Sequence, residues 1–216
     1  MKKCIVFDLD GTILYTLKDL LNATNYSLNK YGYESISLEE VEKFIGNGIR
    51  LLIERALKGK KANIDLLYKD FIEYYKNNYA NETYPYPNII NILNKLKSKG
   101  IINCVLTNKA EVIARPLIND KFGDLFDLVL GEKTGRNKKP NIDGIIEIMN
   151  QYNLNKEDIL YIGDSDVDIK LALNANIDAL IVSYGYRSYD MLKKESSFHI
   201  CKTPFELEEK ISIYLQ

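Results

Sequence analysis

The chain has 216 residues, 46% hydrophobic and 27% charged, enough to bury a core without disulfide or metal staples. Its 29 Lys and Arg balance 30 Asp and Glu, which excludes a global field for nucleic acid or anionic lipid. No apolar run approaches the ~18 residues of a membrane helix.

Cys4–Phe7 is a short apolar run broken by Asp8. It is too short for the apolar stretch of a secretory leader, ~7–15 residues, and reads as a buried strand. Asp8-Leu9-Asp10-Gly11-Thr12 follows at once. In a parallel sheet, residues just past a strand's carboxyl end face the ligand crevice, and extended-chain alternation sends Asp8 and Asp10 to the same side. Two carboxylates that close repel unless a cation or a shared proton lies between them. They suit a nucleophile and an acid/base partner assisted by Mg2+; a polar turn is the bland alternative.

From 16 to 82 only helical periodicity is found, with stripes at Leu17, Leu20, Leu21, Thr24 and Leu28 and at Ile64, Leu67, Tyr68, Phe71 and Tyr75. Such a stretch is too long for a crossover and predicts a separate helical subdomain. Tyr84-Pro85-Tyr86-Pro87 marks the return, and Tyr74, Tyr75, Tyr79, Tyr84 and Tyr86 are expected to pack between the two bodies.

Beyond the return, strand-like runs at 101–106, 125–130, 159–162 and 179–182, and a weaker one at 198–201, alternate with helical patterns. Ile89, Ile92, Leu93 and Leu96 form one helical stripe, Ile142, Ile145, Ile146 and Met149 another, and Gly100 stands where a helix cap belongs. Strand ends again carry chemistry. Thr107-Asn108-Lys109 supply a hydroxyl and an amide for phosphoryl oxygens, and Lys139-Pro140 closes a basic stretch able to neutralise phosphoryl charge. Gly163-Asp164-Ser165-Asp166-Val167-Asp168 sets Asp164 and Asp168 four apart, able to share a helix face and complete an oxygen-ligand site for Mg2+. Singly, these could be an N-cap cluster or a solvated lysine; four motifs at four successive strand ends are less easily dismissed.

The scarce residues narrow the chemistry. Cys4, Cys104 and Cys201 are too few and too scattered for a disulfide framework or a zinc site, and point to a reducing cytoplasm. The single histidine, His199, excludes a multi-histidine metal centre and reads as structural. Catalysis then rests on carboxylates, lysine, hydroxyls and a hard metal ion. The fold class expected is α/β, a doubly wound Rossmann-like parallel sheet (1–15 and 83–216) with an inserted α-helical cap subdomain (16–82).

In its four motifs, taken in order, the chain resembles the haloacid dehalogenase superfamily of phosphohydrolases over essentially its whole length. Phe44-Ile45-Gly46-Asn47-Gly48, Glu54-Arg55-Ala56-Leu57, Leu106-Thr107-Asn108-Lys109 and Tyr184-Gly185-Tyr186 are most similar to the phosphoglycolate phosphatases among them. The resemblance implies that Asp8 attacks phosphorus, that Asp10 serves as acid and then base, and that Thr107 and Lys139 hold the phosphoryl group. It implies Mg2+ at Asp8, Asp164 and the Asp10 carbonyl, with Asp168 bound directly or one shell out. It implies substrate contacts from Gly11, Thr12, Asn108 and Lys109, with Arg55 and a Gly46-Asn47-Gly48 loop on a mobile cap; a plain inter-helix turn is the alternative for that loop. The likeness departs at Tyr15-Thr16, where the subgroup usually carries Asp-Ser.

The expected partner is a small phosphate ester, 2-phosphoglycolate above all, with no nucleic acid or membrane and a monomer or homodimer. Pyrophosphatases, sugar-phosphate phosphatases and phosphomutases are the enzyme alternatives. A receiver-like phospho-acceptor module is the non-enzyme one, and it lacks both the helical insertion and the 163–168 motif.

Overall fold

The protein, described over residues 1–216 in a computed structural model, opens with β1 (Cys4–Phe7) and β2 (Leu14–Tyr15). Four helices follow: α1 (Leu17–Lys30), α2 (Leu38–Phe44), α3 (Ile49–Ala56) and α4 (Ile64–Asn78). The chain returns through β3 (Tyr84–Pro85), which pairs with β2, and then alternates. The order is α5 (Ile89–Ser98), β4 (Ile102–Ala110), α6 (Glu111–Phe122), β5 (Leu128–Glu132), α7 (Asp143–Tyr152), β6 (Ile159–Gly163), α8 (Asp166–Ala175), β7 (Asp178–Val182), α9 (Tyr189–Glu195), β8 (His199–Cys201) and α10 (Pro204–Tyr214). No helix is long and apolar enough to cross a membrane.

Six strands form one sheet in the order β5-β4-β1-β6-β7-β8, every pair parallel. That is the doubly wound order whose ligand crevice opens at the carboxyl ends beside the first strand, where the winding reverses. β1 is central, each of its four residues fully buried; burial of a large apolar side chain stabilises by roughly 1.5–3 kcal/mol. Cys4 and Val6 point into a cluster with Cys104, Leu106, Leu130, Ile145, Tyr161 and Ile181. Phe7 meets Phe126 edge-on at 5.9 Å.

Two strands differ from the sequence reading by more than one residue at an end. The run predicted over 101–106 continues to Ala110, with its register against β5 shifting between Leu106 and Ala110. Thr107, Asn108 and Lys109 therefore stand in a bulge, a device that re-aims side chains. β5 begins at Leu128 rather than at 125, because Asp127 takes the Asn103 N–H on its carboxylate at 2.8 Å.

Contacts divide the chain into a core, Met1–Tyr15 with Pro85–Gln216, and a helical unit, Thr16–Tyr84. Within the helical unit, Leu17, Leu20, Thr24 and Leu28 are buried on α1, and Leu67, Phe71 and Tyr75 on α4. Ser37 and Glu40 cap α2 reciprocally, and Asn63 caps α4. Buried Asp19 accepts the Glu82 N–H and the Thr83 hydroxyl, tying the returning segment to α1. The grouped tyrosines divide between the bodies. Tyr74 stacks on Tyr26 and Tyr75 lies against Phe71 and Tyr79, whereas Tyr86 contacts Tyr15 and Tyr184 in the core.

Candidate active site

Asp8 continues β1, its N–H bonded to the Ile162 carbonyl, so its side chain emerges at the winding reversal. Lys139 reaches it from the loop after β5, with Nζ 2.7 Å from Asp8 Oδ1, 2.8 Å from Asp168 Oδ1 and 3.0 Å from the Tyr161 hydroxyl. Asp168 is saturated. The Tyr161 hydroxyl donates to its Oδ1 at 2.7 Å, and the Ser165 N–H and hydroxyl donate to its Oδ2 at 3.1 and 2.6 Å. Asp168 is therefore the counter-ion and tether of Lys139.

Asp164 follows β6 and accepts the Tyr186 N–H at 2.8 Å. The approach is tight: a side chain on Gly185 would stand 2.2 Å from the Gly11 carbonyl and 2.5 Å from Asp164 Oδ2. Gly11 itself has φ +85° and leaves no room for a Cβ against the same carboxylate. Three chain segments thus meet around Asp164 through two glycines.

The electrostatics are unbalanced. Asp8, Asp164 and Asp168 are buried with ligand oxygens within 4.8 Å of one another, and Lys139 is the cation among them. Burial, then the Asp168 and Asp10 charges, push Asp8 up to about 7 against the pull of Lys139. Burial and the charges of Asp168 and Asp8 hold Asp164 well above the carboxylate range. Burial also opposes ionisation of Asp168, but Lys139, Ser165 and Tyr161 outweigh it and keep the carboxyl low. Lys139 is raised: burial opposes its charge, and Asp168 and Asp8 more than offset that. An all-oxygen donor set with surplus buried negative charge fits a hard divalent cation such as Mg2+.

Asp10 sits apart from this cluster, its Oδ1 2.8 Å from Lys109 Nζ, whose side chain is almost wholly buried. Thr107 Oγ1 accepts the Lys109 N–H. Asn108 faces Lys139 from both sides of its amide: Oδ1 accepts the Lys139 N–H at 2.8 Å and Nδ2 donates to the Lys139 carbonyl at 3.1 Å. Thr12 is fully buried, and its carbonyl takes the Tyr184 hydroxyl at 3.0 Å. Asp8, Asp10, Gly11, Thr107, Asn108, Lys109, Lys139, Asp164 and Asp168 thus converge at neighbouring strand ends. Gly46, Asn47, Gly48 and Arg55 belong to the helical unit. There Arg55 donates to the Phe44 carbonyl at 2.6 Å and to Asn47 Oδ1 at 3.0 Å, bracing the turn into α3.

A family model described as haloacid dehalogenase-like hydrolase matches residues 5–182. The chain belongs to the haloacid dehalogenase-like hydrolases. A phosphoglycolate phosphatase of Psychrobacter arcticus is 35% identical over 196 residues, spanning 86% of this chain and 85% of that protein. Another, of Agrobacterium fabrum, is 32% identical over 197 residues, spanning 88% and 84%. A crystal structure from Lactobacillus delbrueckii subsp. bulgaricus, described as a candidate phosphoglycolate phosphatase, matches with a TM-score of 0.92 at 31% identity, covering 98% of this chain and 99% of that one.

Several groups that brace these residues carry no signal in a one-dimensional reading. Tyr161 is a core strand residue whose hydroxyl reaches Asp168, and the Tyr186 contribution is a backbone N–H. Arg136 is buried beneath the Lys139 loop, bonded to Glu147, Glu111 and the Gly131 carbonyl. Its position inside the basic stretch before Lys139 is the one hint the sequence offers. Tyr15, at the departure from the usual Asp, lies edge-on to Tyr86 and Tyr186 at 6.5 and 6.3 Å.

Proposed function

We propose that this phosphatase hydrolyses a small phosphate monoester, 2-phosphoglycolate foremost, through an aspartyl-phosphate on Asp8 and with Mg2+. The observation that carries the reading is Lys139 between Asp8 and Asp168, with Asp164 alongside: one ammonium among three buried carboxylates at the sheet's winding reversal. Such a site favours added positive charge and a phosphoryl group to share it. The substrate assignment leans on the relatives named phosphoglycolate phosphatase.

An Asp8 carboxylate oxygen forms the bond to phosphorus as the bond to the ester oxygen breaks, and Asp10 gives its proton to the departing alkoxide. Asp10 then takes a proton from water, whose oxygen bonds to phosphorus as the Asp8–phosphorus bond breaks and inorganic phosphate leaves. Lys109 holds the Asp10 carboxylate in position through the turnover. Lys139 and the Thr107 hydroxyl bind the phosphoryl oxygens, with Asn108 locking the Lys139 backbone and Asp168 its ammonium. Asp8, Asp164 and the Asp10 carbonyl would hold Mg2+, which when bound supplies positive charge to the phosphoryl group. Gly11 and Thr12 shape the adjacent turn; Gly46, Asn47, Gly48 and Arg55 enter as specificity residues by resemblance. The buried free thiols at Cys4, Cys104 and Cys201 suit a reducing cytoplasm.

The test is a kcat/KM panel of phosphate monoesters and pyrophosphate with Mg2+. 2-Phosphoglycolate should rank first. A tenfold advantage for hexose phosphates or pyrophosphate, about 1.4 kcal/mol of transition-state preference, would reassign the substrate. No hydrolysis of any monoester would overturn the reading.

A further inference from the structure

At the far edge of the sheet, away from the strand ends just described, three unlike metal donors converge. His199 and Cys201 are two apart on β8, so their side chains leave the same face of the strand. The strand is pinned by its pairing with β7, His199 opposite Leu180 and Cys201 opposite Val182. Two residues later Thr203 caps α10, its hydroxyl accepting the Glu206 N–H at 3.1 Å. Glu206 returns Oε2 to the Lys202 N–H at 2.8 Å, which leaves Oε1 directed at His199 Nε2, 2.9 Å away. The His199 nitrogen, the Cys201 sulfur and the Glu206 oxygen all lie within 4.8 Å of one another.

We propose that His199, Cys201 and Glu206 form a second metal site, independent of the catalytic carboxylates, that takes a borderline transition-metal ion of the Zn2+ class.

The chemistry of the donors selects the ion. Imidazole, thiolate and carboxylate together suit Zn2+ and its neighbours and do not suit Mg2+, which demands oxygen ligands. Tetrahedral coordination at ~2.0–2.3 Å per bond needs donors roughly 3.3–3.6 Å apart. The His199–Glu206 pair, 2.9 Å apart, needs to open by roughly half an ångström and the sulfur, within 4.8 Å, to close by about 1.5 Å at most. Three protein ligands leave a fourth position. His199 and Glu206 are part-exposed, 44% and 31% at their side chains, so water can fill it, while Cys201 sits at the buried end. All three ligands are already constrained, His199 and Cys201 by the strand register and Glu206 by its role in the cap, so little ordering is left for the ion to impose. The ammonium of Lys202 is turned away onto the Tyr189 ring at 4.8 Å. Lys210, one turn along α10, is the positive charge that acts on both Cys201 and Glu206.

The test uses the full chain with excess Mg2+ occupying hard sites and Co2+ as the probe. One equivalent of Co2+ should raise a sulfur-to-cobalt charge-transfer band, displaced by Zn2+. Cys201→Ser should abolish the band. His199→Gln, at a part-exposed position where folding is not at risk, should weaken Co2+ binding at least tenfold, and Lys210→Gln should tighten it. Phosphatase activity with Mg2+ should be the same in all three variants. No band in wild type, or a band that His199→Gln leaves at full affinity, overturns the proposal; the latter would mean that His199 is not a ligand. The His199 variant decides alone if Cys201→Ser does not fold.

Discussion

In the helical unit, buried Asp19 is answered by an N–H and a hydroxyl of the returning chain, and Asp70 by Lys30 at 2.7 Å, which with Tyr31 holds that carboxyl below its usual range. At the strand ends of the core, Asp8 and Asp168 share one ammonium, Lys139, and the nearby buried Asp164 accepts the Tyr186 N–H, with Arg187 the cation acting on it. Both regions bury carboxylates. One gives each carboxylate a partner of its own, and the other crowds three carboxylates into one space. A self-satisfied charge contributes to stability; a surplus charge lowers stability until its partner arrives, and that deficit is the source of binding.

The sharpest separation comes from Asp8→Asn. An amide cannot attack phosphorus, so kcat should fall by about 10⁴ or more. The metal-free variant should melt no lower than wild type at neutral pH, because a repelled buried carboxylate is gone. A lower melting temperature would mean that Asp8 is structurally satisfied after all. Lys139→Ala takes the opposite course. It leaves Asp8 and Asp168 buried without a cation and should cost roughly 3–5 kcal/mol by denaturant unfolding, besides activity.

The same surplus sets a pH dependence. The Asp8 carboxyl is raised from 3.8 to about 7, so the folded protein holds that proton more tightly than the unfolded chain. Its stabilising effect is complete below the ordinary carboxylate range and is lost as pH rises through about 7. Asp164 shifts in the same direction; Asp168, held low, works the other way and loses its contribution only in acid. Metal-free protein should therefore lose thermal stability between weak acid and pH 8, and Mg2+ should raise the melting temperature more at pH 8 than at pH 6. An equal rise at both would contradict the assignment.

Asp19→Ala tests the helical side of the comparison. Unpartnered Glu82 N–H and Thr83 hydroxyl groups should cost about 1–3 kcal/mol, and Mg2+ affinity should not change. Gly185→Ala is subtler. The added methyl must displace either the Gly11 carbonyl or Asp164 Oδ2, so Mg2+ affinity by calorimetry should fall about tenfold, ~1.4 kcal/mol, with activity recovered at high Mg2+. Unchanged affinity would show that the turn does not position Asp164.

The sequence marked the polar and charged residues that the fold gathers at its strand ends. Asp8, Asp10, Lys139, Asp164 and Asp168 were legible because a parallel sheet repeats one rule at every strand: apolar run, then ligand crevice. Asn108 was legible as a polar group but not in its role, since nothing local says that its amide would meet the Lys139 backbone thirty-one residues on. Tyr161 looked like core, and it is core; its hydroxyl matters because α8 brings Asp168 back over β6.

The sequence alone determined the six strands of the main sheet, to within a few residues, and which of their ends are charged, because periodicity and run length are local properties written every few residues. The tertiary structure decided which charges are partnered. Lys139 became the shared cation, Asp168 its tether and Lys109 the partner of Asp10, through contacts that span 22 to 99 residues of chain. It also set Glu206 against His199 and Cys201, which read from sequence as a structural histidine and one of three scattered cysteines. Electrostatic energy depends on distance in space and on exclusion of water, and neither exists until the chain has closed on itself.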